Sequence, residues 1–210
     1  MRIRAMILGG AVILAGCGSA SKSPTTHSTV VSAPPTTSAS AAAPRSGLAT
    51  RVLTNDELPG FTASQAPTVE HDLRLYLVGS GDTGAQLTAD VARLKRLGFK
   101  GAVSENLSAP GQDGLSVVEQ LGSASAAHSE LTDDVQEVKG VGGTFGTFPV
   151  SGIPGAVGYS LSSPQGAGIN VTWADGPYYY LVGETISTLQ KSSEDTLSIA
   201  ALHLYRRTHR

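Results

Sequence analysis

Val171-Thr172-Trp173-Ala174-Asp175-Gly176-Pro177-Tyr178-Tyr179-Tyr180 is the stretch that decides the fold. Two β-branched and aromatic runs flank Asp175-Gly176, a pair that tolerates positive φ and so closes a tight hairpin. Pro177 falls at the start of the second strand, where its missing N–H does least harm. Antiparallel strands are therefore expected at 169–173 and 178–182. Alternation puts Tyr178 and Tyr180 on one face of the sheet and Tyr179 on the other.

Working outward, the same β-type composition predicts strands at 73–78, 100–107, 115–121 and 156–161. Three segments carry helical spacing instead. Leu87, Val91 and Leu94 predict a helix over 86–97, closed by Gly98 at the C′ position with Phe99 as its apolar contact. Ala127, Leu131, Val135 and Val138 predict a second over 126–139, stopped by Gly140. Leu197, Ala200, Ala201, Leu204 and Tyr205 predict a third over 193–208. There Ser192 and Asp195 approximate a capping box. The fold class is thus α+β, a mainly antiparallel sheet packed with about three helices.

An internal correspondence runs through the sheet region. Gly101-Ala102-Val103 matches Gly155-Ala156-Val157, Leu107-Ser108 matches Leu161-Ser162, Pro110 matches Pro164, and Gly114 and Val117 match Gly168 and Val171. Every pair has the same spacing. The chain reads either as two related hairpin-plus-helix halves, with helices on one face of a shared sheet, or as coincidence in a Gly/Ala/Ser/Val-rich sequence. Two copies are too few to establish a period.

Residues 51–210 have the length of a single α+β domain. This part holds all 17 acidic residues and 11 of the 15 basic ones, a net −6. Its cations gather in Arg93, Lys95, Arg96 and Lys100, and in Arg206-Arg207 with Arg210. Such an acidic domain lacks the electrostatic footprint of nucleic-acid binding. Both basic groups complement the negative ends of their helices. The alternative for the tail is contact with anionic lipid headgroups.

Upstream the composition changes. Residues 18 to about 50 are Ser, Thr, Ala and Pro with few large apolar residues, the composition of a disordered spacer. The Thr-rich part is either a bare spacer or an acceptor of O-linked sugar. Before it, Arg2 and Arg4 precede an apolar run from Ala5 to Gly16, far short of the ~20 residues of a spanning helix. This is the pattern of an export signal. The run Ile13-Leu14-Ala15-Gly16-Cys17 resembles the lipobox of bacterial lipoproteins. The other readings are a secretory signal with a chance cysteine and a buried N-terminal helix. The resemblance implies a signal peptide at 1–16, a thioether-linked diacylglycerol on Cys17, an anchored linker at 17–50 and an ectodomain at 51–210. It also implies residence on the outer face of the plasma membrane. Cys17 is the only cysteine, so once acylated it leaves no thiol for a disulfide, and stability must come from packing.

The whole chain resembles small actinobacterial, mycobacterial-type lipoproteins, some of which have ectodomains similar to sensor domains of envelope kinases. Leu58-Pro59-Gly60-Phe61 and Ile153-Pro154-Gly155-Ala156 carry the domain part of that resemblance. Those sensor domains use disulfides, which this chain lacks.

Chemistry-bearing motifs are few. Gly79-Ser80-Gly81-Asp82-Thr83-Gly84 fits G-x-G-x-x-G between a predicted strand and helix, with Glu105 as a distant acid. Asp82 would repel a pyrophosphate, and the repeating βα pattern of a dinucleotide fold is missing. A turn with Asp82 or Thr83 at the helix N-cap fits better, and no cofactor is expected. There is no G-x-S-x-G elbow, and Ser19-x-x-Lys22 falls in the linker. His71, His128 and His203 are the candidate bases for a hydrolase. Asp133, Asp134 and Glu137 read as a solvated acidic helix face, and no metal is expected. Trp173, Tyr178, Tyr179 and Tyr180 are the best candidate for ligand or partner binding. Their alternative role is cross-strand packing. The leading expectation is a non-catalytic envelope lipoprotein that binds a ligand or protein partner. The alternatives are an envelope hydrolase and a lipid carrier.

Overall fold

Five of the six predicted strands form, and all three predicted helices. In the computed structural model, which describes residues 46–63, 65–164 and 166–209, the chain opens with a 3-10 turn at Gly47–Arg51. It continues through β1 (Thr62–Ala63), β2 (Thr68–Glu70), α1 (Leu73–Gly79), α2 (Gly84–Arg96), β3 (Gly101–Ala109) and β4 (Gln112–Gln120). Then come α3 (Ala124–Lys139), β5 (Thr144–Phe148), β6 (Val157–Ser163), β7 (Gly166–Asp175), β8 (Tyr178–Ile186) and α4 (Lys191–Thr208). The strands form one antiparallel sheet in the order β1-β3-β4-β8-β7-β6-β5, with β2 also on the outer edge of β3. The α+β class and the dominant antiparallel sheet are as read from the sequence.

The segment at 73–78 is a helix, not a strand. Leu73, Leu75 and Leu77 alternate like strand residues, but Leu73, Tyr76 and Leu77 also stand at i, i+3 and i+4, and these pack inward. The Asp72 carboxylate fixes the start, accepting from the Arg74 and Leu75 amides at 2.8 and 3.0 Å. The missed fourth helix thus carries its own cap.

Other ends follow local chemistry. Gly98 at φ 72° ends α2, with Phe99 N–H on Leu94 O and Gly98 N–H on Lys95 O, both at 3.0 Å. This is the double bond of a Schellman cap. Ser123 caps α3 through the Ala126 amide at 3.1 Å. The expected capping box of α4 does not form. The helix starts at Lys191 after Gln190, without a side-chain cap bond. Asp195 is held instead by Lys191, Nζ to Oδ1 2.6 Å. The central hairpin turns one residue later than expected, because Asp175 still pairs with Tyr178. Gly176 takes φ 55° beside Pro177.

Both faces of the sheet are covered. On one, α1, α2 and α3 bury Tyr76, Leu77, Leu87, Leu94, Ala127 and Leu131 against Ala102, Val117, Tyr179 and Leu181. On the other, α4 and the segment after the 3-10 turn bury Leu197, Ala200, Leu204, Val52, Leu53 and Leu58 against Val103, Val118, Ile169, Val171, Trp173 and Tyr180. Helices therefore lie on two faces, not one.

The internal correspondence shows why. The β3–β4 ladder pairs Val103 with Val118 and Leu107 with Gly114. The β6–β7 ladder pairs Val157 with Thr172 and Leu161 with Gly168. Every β6–β7 pair repeats a β3–β4 pair at the sequence spacing of the motif matches. β4 and β7 flank β8 on opposite sides, each antiparallel to it. A half-turn about β8 therefore relates the two hairpins and exchanges the faces. Leu107 belongs to the α4-side core, whereas its counterpart Leu161 points to the α1–α3 side, as its partner Gly168 does. The helix after each hairpin accordingly falls on opposite faces.

The two Pro-Gly motifs are also equivalent in shape. Phe61 N–H bonds Leu58 O at 3.2 Å, and Ala156 N–H bonds Ile153 O at 3.3 Å. Gly60 and Gly155 have φ 85° and 69°, so each motif is a turn with Pro second and Gly third. Leu58, Phe61 and Ile153 plug the α4-side core.

Candidate functional site

The aromatic hairpin splits between the two cores as alternation requires. Trp173 and Tyr180, opposite each other in the ladder, stack at 4.7 Å and 3° on the α4 side. Tyr179 faces α3. All three are fully buried, so their rings work as cross-strand packing. Tyr178 alone is half-buried. The Arg51 guanidinium lies 3.9 Å over its ring and donates to the Tyr180 hydroxyl at 2.5 Å. Burial pushes the Tyr180 phenol up from its ordinary value. The Trp173 indole N–H has no hydrogen-bond partner among the described residues.

Beneath α1–α3 lies a polar network that the sequence reading missed. Arg93, assigned to the helix end by sequence, turns inward. It hydrogen-bonds the buried Glu130 carboxylate and Asp90 at 3.2 Å, and forms a longer ion pair with Asp133 at 3.9 Å. Burial works against its charge, but Glu130, Glu119 and Asp90 outweigh that and raise its pKa above the ordinary arginine value. Asp134 is buried, not solvated. Its Oδ2 accepts from the hydroxyls of Tyr159 and Tyr179, each at 2.9 Å. Tyr76 donates to the buried Glu119 at 2.8 Å. The i, i+3 spacing of Asp90 and Arg93 was the available signal. The partners from α3 and β4 come from 26 or more residues away and leave none.

On the α4 side stand two further buried acids, Glu105 and Glu184. Glu184 pairs with Gly114 and Ile169 across the sheet and lies between Val182 and Ile186. Burial raises its pKa from 4.5 to about 7, with no cation or donor among the described residues set against it. The same side holds a clasp at the domain entrance. Arg207 donates to both Glu57 oxygens at 2.8 Å, to Val52 O at 2.8 Å and to Thr50 O. Burial pushes the Glu57 carboxyl up, but Arg207 and the Thr54 amide outweigh it and leave its pKa below the usual value.

The remaining sequence candidates are dispersed. His71 is exposed against Lys100 O at 3.1 Å. His128 and His203 are exposed on α3 and α4, which cover opposite faces. The glycine-rich run joins two helices, not a strand to a helix, with Thr83 at the α2 N-cap. Asp82 is buried and takes Gln86 Nε2 at 3.4 Å. Among the described residues no group of three His, Cys, Asp or Glu could hold a metal ion. None of the described helices is long and apolar enough to cross a membrane. Cys17 lies outside the described residues.

No family model and no curated protein matches the chain. Among solved structures, the extracellular domain of PknH from Mycobacterium tuberculosis superposes at a TM-score of 0.52. The match has 12% identity and covers 78% of this chain and 95% of that one. The fold is similar to that of a mycobacterial extracellular domain. An uncharacterized Mycobacterium smegmatis protein, the Rv0999 ortholog, aligns over 78% of this chain and 97% of its own. Its TM-score is 0.41 at 10% identity, too low to carry an argument.

Proposed function

We propose that the chain is a lipoprotein anchored through Cys17 to the outer face of the bacterial plasma membrane. Its ectodomain, 51–210, is a non-catalytic module that binds an envelope ligand or protein partner. The observation that carries the reading is the run Ile13-Leu14-Ala15-Gly16-Cys17 behind a short basic, apolar leader. The likeness of the folded part to a domain that is extracellular in its own protein supports the same compartment. A single acyl chain binds a bilayer marginally and two hold it stably, so the diacylglycerol suffices as anchor.

The test is expression of the full chain in an actinobacterial host, followed by mass analysis of its N-terminus and of the native envelope-extracted protein. The expected product lacks residues 1–16, carries acyl mass on Cys17 and fractionates with membranes. Cys17→Ala is expected to abolish all three. An unprocessed, unacylated wild-type product refutes the anchor. A non-covalent adduct on the native protein identifies a ligand, and cross-linking in the envelope identifies a protein partner. Ester turnover that one serine substitution abolishes reverses the non-catalytic reading.

A further inference from the structure

The α1–α2 hairpin presents a surface unlike the rest of the domain. On α1, Leu75 and Val78 stand one turn apart and are 62% and 51% exposed. Arg74 is exposed next to Leu75, and Lys95, Arg96 and Lys100 are exposed at and just after the end of α2. None of these four cations has an ion-pair partner among the described residues. Between residues 72 and 100 the only acids are Asp72, Asp82 and Asp90. Asp82 and Asp90 are buried, and Asp72 is committed to the α1 amides. A domain that is acidic overall thus carries, on and just after its α1–α2 hairpin, four exposed cations without an ion-pair partner among the described residues and two exposed aliphatic side chains. Lys95 and Arg96 suit the negative end of α2, but Arg74 lies in the first turn of α1, where the helix dipole disfavours a cation.

Tyr76 of α1 stacks on Phe99, centroids 5.6 Å apart, which brings α1 beside the end of α2. On the lipoprotein reading the chain is attached to the bilayer through Cys17, and that attachment holds the domain at high effective concentration near the anionic surface.

We infer that the outer face of the α1–α2 hairpin docks on the anionic bilayer surface to which the chain is tethered. Arg74, Lys95, Arg96 and Lys100 meet the headgroups, and Leu75 and Val78 enter the interface. The inference rests on the lipoprotein reading for its tether, but the surface chemistry is separable from it. Docking fixes the orientation of the domain and turns α4, on the opposite side of the sheet, away from the membrane.

The experiment uses the full acylated chain in phosphatidylcholine vesicles with and without phosphatidylglycerol. An environment-sensitive dye is placed at Ala92→Cys, exposed on α2, or at Ile199→Cys, exposed on α4. With Cys17 acylated, each introduced thiol is the only free one. The expected result is a blue-shifted Ala92 label, quenched by spin-labelled lipid, in anionic vesicles only, while the Ile199 label stays aqueous. Replacing Arg74, Lys95, Arg96 and Lys100 by Gln is expected to lower the docked-to-undocked ratio about tenfold or more. A chain that floats with the vesicles while both labels stay equally aqueous overturns the inference and moves the face to a protein partner. If Cys17 carries no acyl group, the lipoprotein reading falls on its own. The surface is then judged by mixing the labelled chain with anionic vesicles at low salt. Binding lost in the Gln variant retains the surface, and no binding ends it.

Discussion

Replacing Glu184 by Gln isolates one buried carboxyl. In the fold its pKa is about 7, against 4.5 for an unburied carboxyl. That gap corresponds to a ceiling of roughly 3 kcal/mol. The side chain is 4% exposed, so solvent screens little of it. Between pH 4.5 and 7 the folded chain keeps a proton that the unfolded chain has lost. Stability therefore falls as pH rises through that window and levels off above it. Glutamine keeps the shape and never ionises, and any strain from its amide is independent of pH. The quantity to measure is the difference in urea-unfolding free energy, Glu184→Gln minus wild type, from pH 4 to 8. It is expected to be flat at the acid end, climb through pH 5–7 and level off by pH 8 at a gain of no more than about 3 kcal/mol. Glu57 does not confuse the result, because its depressed pKa adds stability above the ordinary carboxyl range and loses it only as pH falls below. A difference that stays constant from pH 4.5 to 8 refutes the argument and means that the carboxylate is satisfied in the fold.

Three further outcomes follow from the packing. Asp134→Ala leaves the Tyr159 and Tyr179 hydroxyls without their shared acceptor and is expected to lower stability by about 2–5 kcal/mol; thermal unfolding followed by circular dichroism checks it. Arg207→Ala is expected to cost about 1–3 kcal/mol and to speed amide exchange in residues 50–57 ahead of the sheet. Gly158→Ala drives a methyl into the Phe148 ring and to 2.8 Å from the Phe148 carbonyl oxygen. It is expected to cost about 1–3 kcal/mol by overpacking, while Gly142→Ala, which meets open space, is expected to change stability little.

The legibility of this sequence tracks how local each decision is. The β7–β8 hairpin, the Gly98 cap and the three long helices are fixed by residues within a few positions, and all were readable. Segment 73–79 satisfied two periods at once, and only the Asp72 cap and the α1–α2 packing settle it as a helix. β5 escaped because Gly143 and Gly146 interrupt its pattern; the second lies against Ser160 of β6, a contact that sequence cannot show. The division of Trp173, Tyr178, Tyr179 and Tyr180 between faces was legible from alternation. Whether either face lay open was not, because that depends on where distant helices dock. The network at Arg93 and Asp134 was hidden for the same reason: charges on a helix look solvated until the sheet beneath supplies tyrosine hydroxyls.

The Arg207 clasp has a mechanical consequence. Any pull on the chain before residue 46 is transmitted first to the 3-10 turn and to residues 52–58. Those residues are pinned by Val52, Leu53 and Leu58 in the core and by Arg207 on Glu57 and two carbonyls. Arg207 belongs to the last turn of α4, 150 residues from Glu57. The load therefore passes into the closing helix of the domain instead of peeling β1 and β2 from the edge of the sheet. A pull from that side is thereby shared between residues 50–57 and the last turn of α4.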